Sequence, residues 1–359
     1  MMSVLRQWIE RYFPDEEAVI LAVFLVLGTA LVMWMGKTLA PVLASVVLAF
    51  LMQGVIVRLT QRGMPFNAAM AVAFLLFIGG FFSTLLFLLP MTWHQLTKLV
   101  TEFPNMLAKG QQILNLLPQR YPNLITEAQI QSGVEYATTE FAHWGQRLLS
   151  VSLASVSVML TAIVYLVMVP ILVFFLLKDR VAILNWMRSL LPKQHPAISR
   201  IWYEVNEQFA NYVRGKVMQI VIVGLITYVA FVWLGLNYAE LLALAFGVSV
   251  VVPYVGAAVV TVPIALIGYF QWGFSYDFIY LMVVFMVIQA LDGNVIVPLL
   301  FSEAVNLHPI VIIVAVLFFG DVWGFWGVFF AIPLATLCKA VLYAWPRMSE
   351  QVEGVRDVV

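Results

Sequence analysis

Asp292 is the residue of this chain on which solute or ion chemistry would turn. It lies inside the apolar run Phe278 to Leu300, beside Gln289, Gly293, Asn294 and Pro298. A carboxylate in hydrocarbon costs at least ~2.5 kcal/mol on insertion scales, so it faces a cavity or a partner. Gly293 loosens the helix there and Asn294 adds an amide carbonyl, which makes the group able to bind a proton or a monovalent cation. The same residues allow a second reading, in which the carboxylate caps a broken helix or pairs with a buried cation. Asp321 follows Gly320 at an interruption of the last apolar stretch, where it is either a helix N-cap or a member of the site. Glu303 and His308 flank the preceding connection. His308-Pro309 opens a spanning or re-entrant helix, and the histidine is also compatible with a structural role. Pro253 and Gly256 interrupt another apolar stretch and complete the candidate pathway set.

Other chemistries lack their residues. The single cysteine, Cys338, sits in an apolar run, so no internal disulfide and no Cys/His metal spacing is available. No HExxH, Gly-x-Ser-Gly or GxxxxGK[ST] pattern occurs, which removes the common zinc, serine-nucleophile and nucleotide-binding designs. Tyr276-Asp277 and Gly320-Asp321 resemble the two halves of an intramembrane aspartyl protease. Phe318, however, stands where that design needs glycine, and Asp277 lies in a polar connection. No enzyme activity and no cofactor is expected.

The elements around these residues are set by a solvent that must be lipid. Apolar residues make up 63% of the 359-residue chain and charged residues 11%, against about 45–50% and about 25% in soluble domains. Net charge is zero, so no basic field draws nucleic acid. A bilayer core takes about 20 apolar residues in a helix. Ala18 to Gly36 and Thr38 to Val57 read as a tight helical hairpin about Lys37. Phe66 to Leu89 reads as a third span closed by Pro90. Residues 91–147 balance acids and bases and carry helically spaced Leu96, Leu99, Phe103 and Leu107, as in an extramembrane helical segment. A fourth span, from about Leu148 to Leu177, opens on a serine-rich face suited to close helix packing. The basic stretch Lys178 to Lys216, with Trp186 and Trp202, reads as amphipathic helices at the interface. Val217 to Leu234, Leu241 to Phe270, Phe278 to Leu300 and Ile310 to Trp345 follow. The second and fourth of these either cross once or form re-entrant hairpins.

The expected architecture is therefore an all-α integral membrane protein with about eight transmembrane helices, broken or re-entrant in the C-terminal half. Its divisions are 1–90, 91–147, 148–216, 217–346 and a tail at 347–359. Arg58 and Arg62, without nearby acids, place their connection in the cytoplasm. That puts both termini inside and residues 91–147 outside, in a bacterial inner membrane. Two C-terminal stretches echo each other. Phe246-Gly247 precedes Pro253, Gly256 and Pro263-Ile264-Ala265, while Phe319-Gly320 precedes Gly324, Gly327 and Pro333-Leu334-Ala335. Paired Gly/Pro-interrupted segments point to transporter binding sites; apolar sequences rich in Gly, Pro and Ala also echo one another by chance.

Several motifs resemble those of one family. They are Val252-Pro253-Tyr254-Val255-Gly256, Gln289-Ala290-Leu291-Asp292-Gly293-Asn294 with Pro298, Phe301 to Pro309, and Gly324 to Ala335. Phe174 to Asp179 and Tyr212-Val213-Arg214-Gly215-Lys216 agree. This pattern, over essentially the whole chain, is similar to the autoinducer-2 exporter (AI-2E) family of permeases. Ser302-Glu303-Ala304-Val305-Asn306 looks more like one permease branch than the general family pattern. The resemblance implies an inner-membrane, oligomeric transporter. It further implies export of an autoinducer-2-like polar solute, or cation/proton antiport. Asp292 would then titrate or bind the cation, with Asn294, Gln289 and the exposed backbone at Pro253 and Gly320 assisting. A scaffold docking a periplasmic protein through residues 91–147, or a passive channel, stands as the competing expectation.

Overall fold

The computed structural model describes residues 16–114, 156–189, 196–253, 255–301 and 307–344, together with scattered positions between 131 and 146. Among the described residues the regular structure is helical. The elements are α1 (Glu16–Gln61), α2 (Phe66–Ser83), a π-helical turn π1 (Thr84–Leu88), α3 (Leu89–Leu114), α4 (Val156–Lys178), α5 (Arg180–Ser189) and α6 (Pro196–Trp233). They continue with α7 (Ala239–Ser249), α8 (Val255–Trp272), α9 (Tyr276–Leu291), a second π-helical turn π2 (Asp292–Ile296), α10 (Val297–Phe301), α11 (Pro309–Trp323) and α12 (Phe325–Ala344).

Six helices among the described residues are long and apolar enough to cross a bilayer: Thr38–Gln61, Phe66–Ala108, Leu160–Lys178, Ile201–Trp233, Val255–Trp272 and Tyr276–Phe301. Their outer faces carry large apolar side chains in the open, such as Phe87 at 71% and Leu299 at 75% exposure. Water would not tolerate so continuous an apolar surface, whereas hydrocarbon does. The chain is a multi-pass membrane protein.

Two expectations about helix ends are corrected. The hairpin about Lys37 does not form, because α1 runs unbroken for 46 residues with Pro41 inside it. A lone lysine does not break a helix, and no glycine or turn residue stands there to start a reversal. The Ser45 hydroxyl donates back to Pro41 O at 2.6 Å, an extra bond to the carbonyl one turn earlier. Nor does Pro90 close the third span. Helix α2 passes through π1 into α3, and Leu89 N–H reaches back to Thr84 O across the wider turn. Unwound backbone in lipid would leave polar groups without partners, so the helix widens locally around the proline. Thr84 and Thr92 hydroxyls donate to Gly80 O and Leu88 O, satisfying carbonyls on either side.

True stops use left-handed glycines. After α1, Gly63 N–H donates to Thr60 O and Met64 N–H to Leu59 O, with Gly63 at φ +91°. After α6, Gly235 donates to Val232 O and Leu236 to Phe231 O, with Gly235 at φ +69°. Both are Schellman closures that satisfy the last carbonyls of a helix.

The described chain divides into two compact units. The first draws on residues 1–73, 169–216 and 301–359, and the second on 74–168 and 217–300. In the first unit, Phe209 stacks on Phe330 at 5.6 Å and Phe330 on Trp326 at 5.8 Å, while Phe50 meets Phe209 edge-on at 5.1 Å. This column binds α1, α6 and α12. In the second unit, Phe231, Phe246, Phe285, Ile264 and Leu281 form a fully buried core, with Phe246 edge-on to Phe285 at 4.9 Å. Leu99 and Met106 of α3 pack against that core. Helices α6 and α7 cross on glycine: a Cβ at Gly247 would come within 3.0 Å of Gly224 Cα and Ile220 O. Small residues at such a crossing let backbones touch where lipid supplies no hydrophobic drive.

The two echoing stretches are both helix–turn–helix hairpins, α7–α8 in the second unit and α11–α12 in the first. Each is sealed by a glycine of its second helix against a carbonyl of its first. A Cβ at Gly256 would collide with Ser249 O, and one at Gly327 with Phe319 O. Neither stretch is one continuous helix.

Candidate functional site

In the second unit, Asp292 is the first residue of π2 and half-buried. Pro298 explains the turn: its ring would clash with an α-helical carbonyl four residues back. The wider turn, closed by Val297 N–H on Asp292 O, relieves that clash. Gln219 of α6, almost fully buried, donates its Nε2–H to Asp292 Oδ1 at 2.8 Å. A hydrogen bond to an ionised group is worth ~1.5–3 kcal/mol, enough to hold the carboxylate in one orientation.

Two more polar side chains stand on the same stretch. Gln289, one turn before Asp292, donates to Thr261 Oγ1 at 3.0 Å, and Thr261 in turn donates to Ala257 O at 2.7 Å. This links α9 to α8. Asn294 is exposed and turns its amide back on its own helix, donating to Ala290 O at 2.9 Å.

Pro253 is half-buried in the link between α7 and α8, where Gly256 N–H donates to Val252 O and Val255 N–H to Pro253 O. Gly256 is buried and serves the hairpin closure.

The remaining candidates belong to the first unit. His308 caps α11: its Nδ1 accepts from Ile310 N–H at 3.3 Å, with Pro309 at the first helical position. Gly320 and Asp321 lie within α11, and the interruption comes later, at Gly324 with φ +61°. Asp321 is therefore not an N-cap. It is exposed in the last turn of α11, and Gly320 exposes no broken backbone, because its carbonyl accepts from Gly324 N–H at 2.8 Å. Glu303 lies outside the described residues.

Three residues escaped the sequence reading. Gln219 and Thr261 carry no charge, yet each is a polar group in an apolar helix, the same signal that singles out Asp292. The sequence pattern places Lys216 at the end of an interfacial basic stretch. Helix α6 continues through it, and in the first unit Lys216 is 4% exposed, its Nζ lying 5.3 Å from the Phe301 ring and 5.9 Å from the Tyr212 ring. Aromatic faces receive a desolvated ammonium favourably. Tyr212 is itself pinned by donating to Phe329 O at 2.9 Å. Among the described residues no group of three or more His, Cys, Asp or Glu could hold a metal ion.

Residues 20–347 match the family model described as AI-2E family transporter. The "Putative permease PerM" of Escherichia coli (strain K12) is 44% identical over 346 residues, covering 96% of this chain and 98% of that protein. Two Bacillus subtilis (strain 168) proteins are more distant. "Putative transport protein YueF" is 25% identical across 84% of this chain and 82% of its own length, and "Putative transport protein YrrI" is 26% identical across 86% of both. With a match that runs almost from end to end and a relative this similar over its full length, the chain belongs to the AI-2E family of transporters.

Proposed function

We propose that this chain is a gradient-driven permease for a small polar solute, in which Asp292 is the coupling site for a proton or monovalent cation. The observation that carries the reading is the Gln219–Asp292 hydrogen bond at 2.8 Å, between the middles of two apolar helices. A carboxylate kept in a membrane-spanning helix is costly, and one aimed by a buried amide is held for a task. With no GxxxxGK[ST] motif in the sequence, transport would draw on a gradient or on a separate ATPase, and the half-buried carboxylate favours the gradient. Arg58 and Arg62 suit a cytoplasmic connection in a bacterial inner membrane.

The test uses proteoliposomes with an internal pH dye, stepping sodium, lithium and a panel of small polar metabolites. A solute-dependent pH change in the wild type, lost in Asp292→Asn protein that elutes as a folded species, is the expected result. Equal flux in the variant removes Asp292 from the mechanism. Solute flux without any coupled ion movement makes the protein a passive channel.

A further inference from the structure

The second unit holds a cavity unrelated to Asp292. It measures about 450 Å³ and lies between α3 and the link that joins α6 to α7. One wall is a stripe at four-residue spacing on α3, His94, Lys98 and Glu102, which places the three on one helical face. The facing wall contributes Asn237, Tyr238 and Glu240. Bases and acids therefore line the same small space.

This lining is fixed in place by polar bonds around Tyr238, whose ring also belongs to the buried core. The Tyr238 hydroxyl donates to Glu102 Oε2. Gln95 Oε1 accepts from Leu241 N–H at 3.0 Å, clamping α3 to the start of α7. Gln271 holds the link from behind, accepting from Asn237 N–H at 2.8 Å and donating to Gly235 O at 2.7 Å. Tyr238 is the one non-glycine residue with positive φ among the described residues, at +60°. That left-handed backbone is disfavoured for a side chain bearing Cβ, and such strain gathers where a side chain must point one way. Burial first, and then the bonded Glu102 carboxylate, push the Tyr238 phenol above its ordinary range, so it stays a neutral donor. Lys98 Nζ lies 3.9 Å from Glu102 Oε1, with both side chains roughly half exposed, which makes their mutual attraction weak and easily exchanged for a ligand.

We infer that this cavity binds a small zwitterion, its ammonium on Glu102 and its carboxylate on Lys98, with Asn237 and the exposed His94 within the same lining. A ligand of one charge would satisfy one wall group and leave the other opposed, so discrimination should favour the zwitterion over either half of it.

The test is equilibrium binding to the full chain in nanodiscs, with L-glutamine as the probe. The controls are 4-aminobutyramide, which lacks the carboxylate, and glutaramate, which lacks the ammonium. We expect L-glutamine to bind at least tenfold more tightly than either control. Lys98→Met and Glu102→Gln should each weaken it at least tenfold, and Lys98→Arg should restore most of the loss. Lys98 is exposed, so its replacement leaves folding intact even if Glu102→Gln does not. Equal binding of either control, binding indifferent to Lys98→Met, or no binding of L-glutamine to folded protein overturns the inference. Asp292→Asn should bind L-glutamine normally, so failure here and failure of the transport reading are told apart.

Discussion

The two π-helical turns share a backbone device and differ in what they carry. Each spans five residues, and each is followed by a proline two residues beyond its end, Pro90 after Thr84–Leu88 and Pro298 after Asp292–Ile296. In both, a polar first residue accepts the bond that closes the wider turn. The first turn shows apolar residues, exposed except for the half-buried Leu85, and a threonine that serves its own helix. The second presents a carboxylate to a buried glutamine of another helix. The π geometry is thus what a proline requires in a helix that lipid does not allow to unwind. Under the proposed function, what sets Asp292–Ile296 apart is its side chains and the helix opposite, not the shape of the turn.

Experiments can break that comparison. Asp292→Asn should lower coupled flux at least about hundredfold, the scale of losing a proton-transferring group. Thr84→Val should leave flux within about twofold, because it removes one local hydroxyl bond; both are read in the same proteoliposome assay. Next in size, Gln219→Leu removes a donor worth ~1.5–3 kcal/mol to the carboxylate and should cut flux about tenfold or more. A Gln219→Leu protein with full flux would mean that Asp292 needs no aiming. A smaller effect tests the prolines. With Pro298→Ala the turn can relax to α-helix and rotate Asp292 away from Gln219, so flux should fall several-fold. Pro90→Ala should change only thermal stability in detergent, and equal flux losses in the two alanine variants would erase the distinction.

The smallest effect concerns the helix that follows the first turn, which does carry a polar contact, at Tyr238. Its phenol titrates above the usual tyrosine value of 10.0 because of burial and Glu102. The folded-state value is raised, so the stability it contributes is full below about pH 10 and is lost as pH rises through the folded value. Difference absorbance at 295 nm between wild type and Tyr238→Phe should show no ionisation of this group near pH 10. Ionisation there would mean the bond to Glu102 does not persist in solution.

Composition and hydropathy were enough to read the class of fold, and Asp292 stood out because a charge in an apolar run has few bland explanations. Pro253, Gly256, Gly324 and Gly327 marked the two hairpins, since glycine and proline interrupt helices whatever surrounds them. Helix continuity was harder to see. Lys37 looked like a turn because it divides two apolar runs, but a single charge carries no backbone preference for reversal. Pro90 looked like a stop because it would be one in water. Gln219, Thr261 and Lys216 needed the tertiary structure. An amide or hydroxyl among apolar residues is common, and the aromatic cradle of Lys216 joins residues some 85 positions apart in the chain, Tyr212 and Lys216 with Phe301.

The sealing of each hairpin by a glycine on a nearby carbonyl bears on how the chain enters its membrane. Ser249 and Gly256 are seven positions apart, and Phe319 and Gly327 eight. Closing so short a loop costs little entropy and takes ~10–100 ns, far faster than ribosomal synthesis. Helix α7, at 11 residues, is about 16 Å long and cannot cross hydrocarbon by itself. Closing so early at its apex, each hairpin would reach the bilayer as a formed pair of helices rather than as two separate segments.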